Sequence, residues 1–274
     1  MNRFSPDFHV HSSHSPDSDA SMLAQCERAL EAGLTHIAFT DHLEIDPRHE
    51  FYNCYDYARA RGEFDSVEEK FGDRISLFFG VEVTCHTSIE GMVREALAGK
   101  DFDVVIGSIH FLEEFGGDIS SHSRAPKIFE NNEPGLVYRK YLDEVEASIN
   151  SGLFDVIGHI GIVHRHGPPC LKSLDLNRFE PMFRRIAEAI AESGVTVEVN
   201  SSGFNHPPNT TYPDEKFIEM IVNTGGRNFT VGSDAHGPEG LGAHIGEAMD
   251  SIRRCGIDEI VCFEDRKMKR CKFS

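Results

Sequence analysis

The chain has no Cys-x-x-Cys pair, and its cysteines are odd in number: seven, at positions 26, 54, 85, 170, 255, 262 and 271. That spacing does not suggest a disulfide framework, so the thiols are expected to be reduced and mostly buried in a cytoplasmic protein. Positive charge is scarce too. Lys and Arg total 27 against 45 Asp and Glu, a formal charge of −18. Binding a polyanion requires Lys and Arg to displace counterions, so a long nucleic acid is disfavoured as a partner. No stretch approaches the length of a membrane span, and Met-Asn-Arg-Phe-Ser-Pro-Asp at the start has no apolar core. No membrane partner is expected. The glycine loops of nucleotide sites are missing as well: no Gly-x-Gly-x-x-Gly follows the first apolar run and no Gly-x-x-x-x-Gly-Lys occurs.

What is present is the composition of a soluble globular protein, 39% apolar and 26% charged, over 274 residues. That length suffices for one large α/β domain or two small ones. With no composition break, repeat or linker, residues 1–274 read as a single domain. Apolar, β-branched runs at 35–40, 75–83, 102–110, 154–158, 195–199 and 229–232 follow the first run at 7–11. Helical spacing recurs at 19–32, 61–71, 88–97, 134–149, 177–193, 213–223 and 240–254. Residues 44–60 read as a loop over a site, 112–133 as a long loop, and 161–175 as another. Residues 255–274 read as a tail or a short added strand, solvated from Arg266 onward. Alternating β and α units imply a parallel sheet, either open and doubly wound or closed as a barrel.

Six of the seven apolar runs end in His, Asp or Glu. His9 and His11 are two apart, so on a strand both imidazoles point to one side. For any one histidine, a satisfied core or cap position is the simpler reading. His14, His36, His49, His86, His122, His164, His166, His206 and His244 are left there. His9, His11, His42, His110, His159 and His236 all stand at strand ends, with Glu82, Asp17 and Asp234 among them. Desolvating such a cluster without a cation would be costly. A barrel gathers all strand C-termini around one axis, so one ring of ligands is a barrel expectation. Nitrogen and oxygen donors without thiolate suit Zn, Mn or Fe, and there are too many donors for one tetrahedral ion.

These motifs are His9-Val10-His11 with Asp17, Thr40-Asp41-His42, Gly80-Val81-Glu82-Val83, Gly107-Ser108-Ile109-His110, Ile157-Gly158-His159 and Gly232-Ser233-Asp234-Ala235-His236. In kind and order they resemble those of the PHP (polymerase and histidinol phosphatase) family, most of all its stand-alone histidinol-phosphatase type. The resemblance spans nearly the whole chain. It implies a distorted (β/α)7 TIM-like barrel of the α/β class, with three divalent metal ions at the C-terminal ends of the strands. Carried over by position, His9, His11, Glu82 and Asp234 share one metal. Glu82 bridges to a second, held also by His110 and His159, and Asp17, His42 and His236 hold the third. Many relatives have His where this chain has Asp17, a departure that keeps a metal-binding group and bears on metal preference. Relatives also present a basic residue after the motif ending in His159. Here that is Arg165, whose planar fork suits phosphate, with a rim salt bridge as the alternative role. The position before it, often basic, is His164. His122, Arg124 and Ser201 are further substrate-contact candidates, although Ser201 and Ser202 also fit as backbone caps.

The implied activity is phosphomonoester hydrolysis, with a metal-bridging hydroxide attacking in line and Glu82, Asp234 and Arg165 as the catalytic set. The subfamily resemblance favours L-histidinol phosphate, a small phosphorylated substrate. Three alternatives remain open. The same chemistry can serve nucleotides, nucleoside bisphosphates or oligonucleotide ends. An amidohydrolase-type site also uses a His-x-His strand, but Glu82 and the Asp234/His236 pair favour the phosphoesterase. A non-catalytic metal-binding module is disfavoured by the complete ligand set.

Overall fold

A computed structural model describes residues 4–166, 171 and 174–273. Of the expected loop 161–175, and of the seven thiols, residues 167–170 (with Cys170), 172 and 173 lie outside the described residues. The main sheet is built from β1 (Pro6–Val10), β2 (His36–Phe39), β4 (Ser76–Thr84), β5 (Val104–Ser108), β8 (Val156–Ile157), β9 (Thr196–Asn200) and β10 (Phe229–Gly232), hydrogen-bonded in that order and all parallel. A short β3 (His42–Leu43) pairs with the far half of β4. The ends meet where His11 N–H donates to Ala235 O (2.9 Å) and Asp234 N–H to His9 O (2.9 Å). A nearly closed, distorted barrel is thus the form this α/β chain takes, rather than the open doubly wound sheet.

Helices α1 (Met22–Ala32), α2 (Tyr57–Phe71), α3 (Glu90–Leu97), α4 (Ala125–Asn131), α5 (Pro134–Ser151), α6 (Glu180–Ser193), α7 (Glu215–Thr224) and α8 (Ile245–Arg254) accompany the strands. Each turns one apolar stripe inward. In α1, Met22, Cys26 and Ala29 are buried at helical spacing, between a Ser21 hydroxyl that accepts Ala24 N–H and a left-handed Gly33. Several helix starts differ from the sequence reading by two to five residues, and side-chain caps explain two of them. Asp56 accepts Arg59 N–H, so α2 begins at Tyr57 rather than Arg61. Asp214 accepts Phe217 N–H, which puts Pro213 outside α7.

Two stretches read as irregular are ordered. Residues 112–133 carry a small hairpin, β6 (Phe111–Leu112) with β7 (Gly117–Asp118), and then α4. The C-terminal residues form the added strand and more: from Arg266 onward the chain stays largely exposed, as expected, but it is a strand rather than a tail. β11 (Glu259–Glu264) and β12 (Lys267–Lys272) form an antiparallel hairpin that buries Ile260, Val261, Cys262 and Phe263. Its two turn residues, Asp265 and Arg266, both have positive φ (51° and 60°), as in a type I′ turn, but without the Asn-Gly pair that marks such turns in a sequence. Tertiary contacts hold it instead. Asp265 N–H donates to Asp103 Oδ1, Arg266 N–H to Asp103 O, and the Arg266 guanidinium reaches Leu153 O and Asp155.

Candidate metal centre

All nine expected ligands converge at the C-terminal rim of the barrel. His9 and His11 leave the end of β1 on one side, their ring centroids 5.1 Å apart. Glu82 lies at the middle of the cluster, fully buried. Its Oε1 is 2.8 Å from His159 Nε2 and 3.5 Å from both His110 Nε2 and His9 Nε2; its Oε2 is 2.9 Å from His42 Nδ1 and 3.6 Å from His11 Nε2. Asp234 Oδ1 is 3.3 Å from His11 Nε2 and 3.9 Å from His9 Nε2. Asp17, on the outer edge, lies 3.2 Å from His236 Nε2 and 3.6 Å from His42 Nε2. Two ligands sit on backbone that non-glycine residues rarely adopt: His159 with φ 23° and Asp234 with φ 56°. Such conformations cost of order 1–3 kcal/mol each and recur at sites the surrounding fold over-determines. The strand beside them is pared down to fit. A Cβ on Gly232 would lie 2.3 Å from His9 Cβ and 2.4 Å from Glu198 Oε1.

The ring nitrogens are arranged for coordination. His9 Nδ1–H donates to Glu198 Oε1 at 2.7 Å. His11 Nδ1–H donates to Ser15 Oγ (3.0 Å), whose own hydroxyl donates to Asp41. His110 Nδ1–H donates to Thr84 Oγ1 (2.9 Å), and Thr84 donates onward to Glu44. His236 Nδ1–H donates to the Asp234 carbonyl at 3.0 Å. Each bond fixes the tautomer that turns a bare Nε2 into the cluster, the usual outer support of a histidine ligand. His9 Nε2, His11 Nε2, His42 Nδ1 and Glu82 Oε2 are buried and make no hydrogen bond; the 2.9 Å approach of the last two lacks hydrogen-bond geometry. Orphaned buried groups are costly, and cations would satisfy these. Burial is the main cause that lowers the pKa of His11 and His110, the latter to about 3, keeping both imidazoles neutral. Burial opposes the Glu82 carboxylate, but His9, His110 and His42 outweigh it and hold its pKa well below the ordinary range. Ligand atoms lie within 4.8 Å of one another in three groups: His9–His11–Asp234, His42–Glu82–His110 and His11–His42–His236. The first group follows the expected partition, while the others cut across it. This donor set fits divalent cations.

The PHP domain family matches residues 7–202. The chain belongs to the PHP family. A probable histidinol-phosphatase of Deinococcus radiodurans is 30% identical over 96% of this chain and 98% of its own length. The histidinol-phosphatase of Lactococcus lactis is 24% identical, covering 98% and 97%. Among solved structures, the Lactococcus lactis histidinol phosphate phosphatase, crystallised with zinc, L-histidinol and phosphate, superposes with a TM-score of 0.83 at 22% identity, over 97% of this chain and 98% of that one. The putative histidinol phosphatase of Listeria monocytogenes does so with a TM-score of 0.77 at 19% identity, over 88% and 99%.

Beside the cluster, this PHP domain has a cavity of about 370 Å³ that reaches from Asp17, His42, His110, Asp234 and His236 out to the stretches 44–51 and 118–122. Arg165 lines it, its Nη2 donating to Ser202 Oγ (2.8 Å) and to Asp234. His122 lines its exposed rim. Arg124 stands outside the lining, paired with Glu50 at 3.0 Å. Ser201 is turned away, its hydroxyl donating to Ala243 O, and Ser202 meets the arginine instead. Sequence reasoning did not single out Glu198, Thr84, Ser15 or Asp41 as supports, nor Glu44, His49 and Asp118 on the cavity wall. Glu198 did carry a signal: a charged residue set between two valines of a strand in a parallel sheet, where both faces are buried.

Proposed function

We propose that this PHP domain is a metal-dependent phosphomonoesterase that hydrolyses L-histidinol phosphate in the cytoplasm. One observation carries the reading: nine His, Asp and Glu side chains, several with orphaned buried atoms, form one cluster, and five of them line a cavity that also holds an arginine. The similarity to histidinol-phosphatases over nearly the full chain supports the substrate. Six described cysteines stand unbridged, in keeping with a reducing compartment.

His9, His11, Glu82 and Asp234 would hold one cation, Glu82, His110 and His159 a second, and Asp17, His42 and His236 a third, with zinc, manganese or iron as suitable ions. Such cations, when bound, make water nucleophilic near neutral pH and offset charge on a phosphoryl group. The chain's own residues do the rest. Glu198, Thr84 and Ser15 hold the imidazoles in register. The Arg165 guanidinium, shared between Asp234 and Ser202, offers N–H donors to phosphate oxygens. His9, His11, Glu82, His110 and His159 are themselves buried, which strengthens the interactions among them.

The test is phosphate release after reconstitution with Zn, Mn or Fe, on a panel of histidinol phosphate, nucleoside mono- and bisphosphates, a short oligonucleotide and sugar phosphates. The expected result is a kcat/KM for histidinol phosphate at least ~100-fold above the others, about 2.7 kcal/mol of transition-state discrimination. A preference for a nucleotide would overturn the substrate. No release with any metal would leave a binding module.

A further inference from the structure

The cavity wall facing the cluster carries features that neither metal nor phosphate binding uses. Asp118, on β7, lies there with its two oxygens in different situations. Oδ1 is saturated, accepting Ser120 N–H (2.7 Å), Ser120 Oγ–H (2.6 Å) and Ser121 N–H (3.0 Å). Oδ2 faces His49 Nε2 at 3.5 Å, too long for a hydrogen bond. His49 Nδ1 accepts Phe51 N–H (3.3 Å), so its Nε2 carries the proton, and that buried N–H has no partner. Behind it, Glu44 Oε1 accepts Thr84, while Oε2 is buried without a hydrogen bond, 3.6 Å from His49 Nδ1. The neighbouring Glu50 is matched by Arg124, and Arg165, on the cluster side, is matched by Asp234. His49 stands between the two carboxylates; burial lowers its pKa, but Asp118 and Glu44 outweigh burial and raise it. Two carboxylates against one imidazole leave net negative charge on this wall. A nucleotide's second phosphate would be repelled here, and an ammonium would be welcomed.

We propose that Asp118 is the specificity-determining residue of the site, its Oδ2 taking the primary ammonium of the substrate's leaving group opposite the phosphate. The inference rests on the histidinol-phosphate reading above and adds the group that selects an amino-alcohol phosphate over a plain one. A charge-assisted N–H···O bond to a buried carboxylate has both the strength and the direction for this role. The serines around Oδ1 hold the carboxylate in place before substrate arrives.

The experiment is a double-mutant cycle on the metal-loaded enzyme. Asp118→Asn keeps the Oδ1 acceptor and removes the charge at Oδ2. Histidinol phosphate is paired with 3-(imidazol-4-yl)propyl phosphate, which differs only in having hydrogen in place of the amino group. In the wild type, kcat/KM should favour the amine-bearing ester by about 10- to 100-fold. In D118N that ratio should collapse toward one, and calorimetric binding of L-histidinol should weaken by a similar factor. Metal content, measured alongside, should match the wild type. A ratio that D118N leaves intact overturns the inference, as does a wild-type ratio near one. The wild-type ratio decides even if the variant fails to fold. A wild type that hydrolyses other phosphomonoesters but not histidinol phosphate overturns the substrate reading itself, a result distinguishable from an intact ratio in D118N.

Discussion

Replacing Glu198 with Gln removes one charge from a residue that touches no cation, yet the structure expects a large effect on metal binding. Glu198 is 1% exposed. Its Oε1 accepts His9 Nδ1–H (2.7 Å) and Asn200 Nδ2–H (3.0 Å), and its Oε2 accepts His159 N–H (2.8 Å). Gln fits the same volume but offers one oxygen. If that oxygen faces His9 and Asn200, the new NH₂ confronts the His159 amide, donor against donor. If it faces His159, two bonds are lost at Oε1. Either way a buried donor is stranded, at a cost of about 1–3 kcal/mol, and the backbone or ring of a ligand must move. Gly232 leaves no slack, since the carboxylate occupies the space its Cβ would need. Loss of an outer-shell partner generally weakens metal affinity or activity about 10- to 100-fold, or about 1.4–2.7 kcal/mol. The assay is zinc or manganese titration against a competing chelator, with melting curves before and after metal loading. The apparent Kd should rise at least tenfold, and metal loading should raise Tm by less than in the wild type. A Kd within threefold of wild type, with normal kcat/KM, would refute the idea that Glu198 orients the site.

Glu82→Gln should abolish turnover and lower the metal content of the purified protein, because every expected cation lies within reach of its carboxylate or of a histidine beside it; unchanged activity would refute its bridging role. His164 gives a pH prediction away from the metals. Burial is the cause that lowers its pKa, and its Nε2 lies 3.1 Å from the Tyr138 hydroxyl, so the folded state favours the neutral ring. The unfolded chain then takes up this proton at higher pH than the folded one, and the stability tied to His164 is complete above about 6.5 and lost as pH falls below it. Urea titrations between pH 7 and pH 5 should show a smaller loss in His164→Gln than in the wild type, and equal losses would discount the group. Phe263→Ala, in the C-terminal hairpin, should cost about 3–5 kcal/mol and lower Tm by roughly 6–20 °C, as expected of a core residue; a shift of a degree or two would show that the hairpin adds little to the core.

The ligand ring was legible because each strand end carries its own local mark. His9-Val10-His11 and Asp234-Ala235-His236 announce themselves within a few residues, and a barrel brings strand ends together whatever lies between them. The supporting bonds have no such mark. Glu198 meets His9 across 189 positions, and Thr84 joins His110 and Glu44 across 26 and 40. Serine and threonine are common enough at strand ends that nothing local separates a tautomer-fixing hydroxyl from a cap. The same limit hid the C-terminal hairpin: Asp265 and Arg266 adopt a turn that Asn-Gly would advertise, and Asp103 and Asp155 stabilise it from far along the chain.

The cavity wall shows the limit in its sharpest form, because there the sequence signal named the stretch but not its structure. Residues 112–133, rich in Gly, Ser and acids, read as a long loop, of the kind that usually carries function. Composition could not reveal that the Asp118 side chain is held by its own neighbours, Ser120 and Ser121, within a hairpin that folds back beneath His110. Ile119 N–H donates to the His110 carbonyl at 2.7 Å, so the loop is tied to the backbone of a metal ligand. Any shift of that ligand reaches the wall that faces the leaving group. Metal geometry and substrate selection therefore share one piece of backbone. A substitution that loosens Ile119 should disturb both, whereas Asp118→Asn, which keeps the serine contacts, should disturb selection alone.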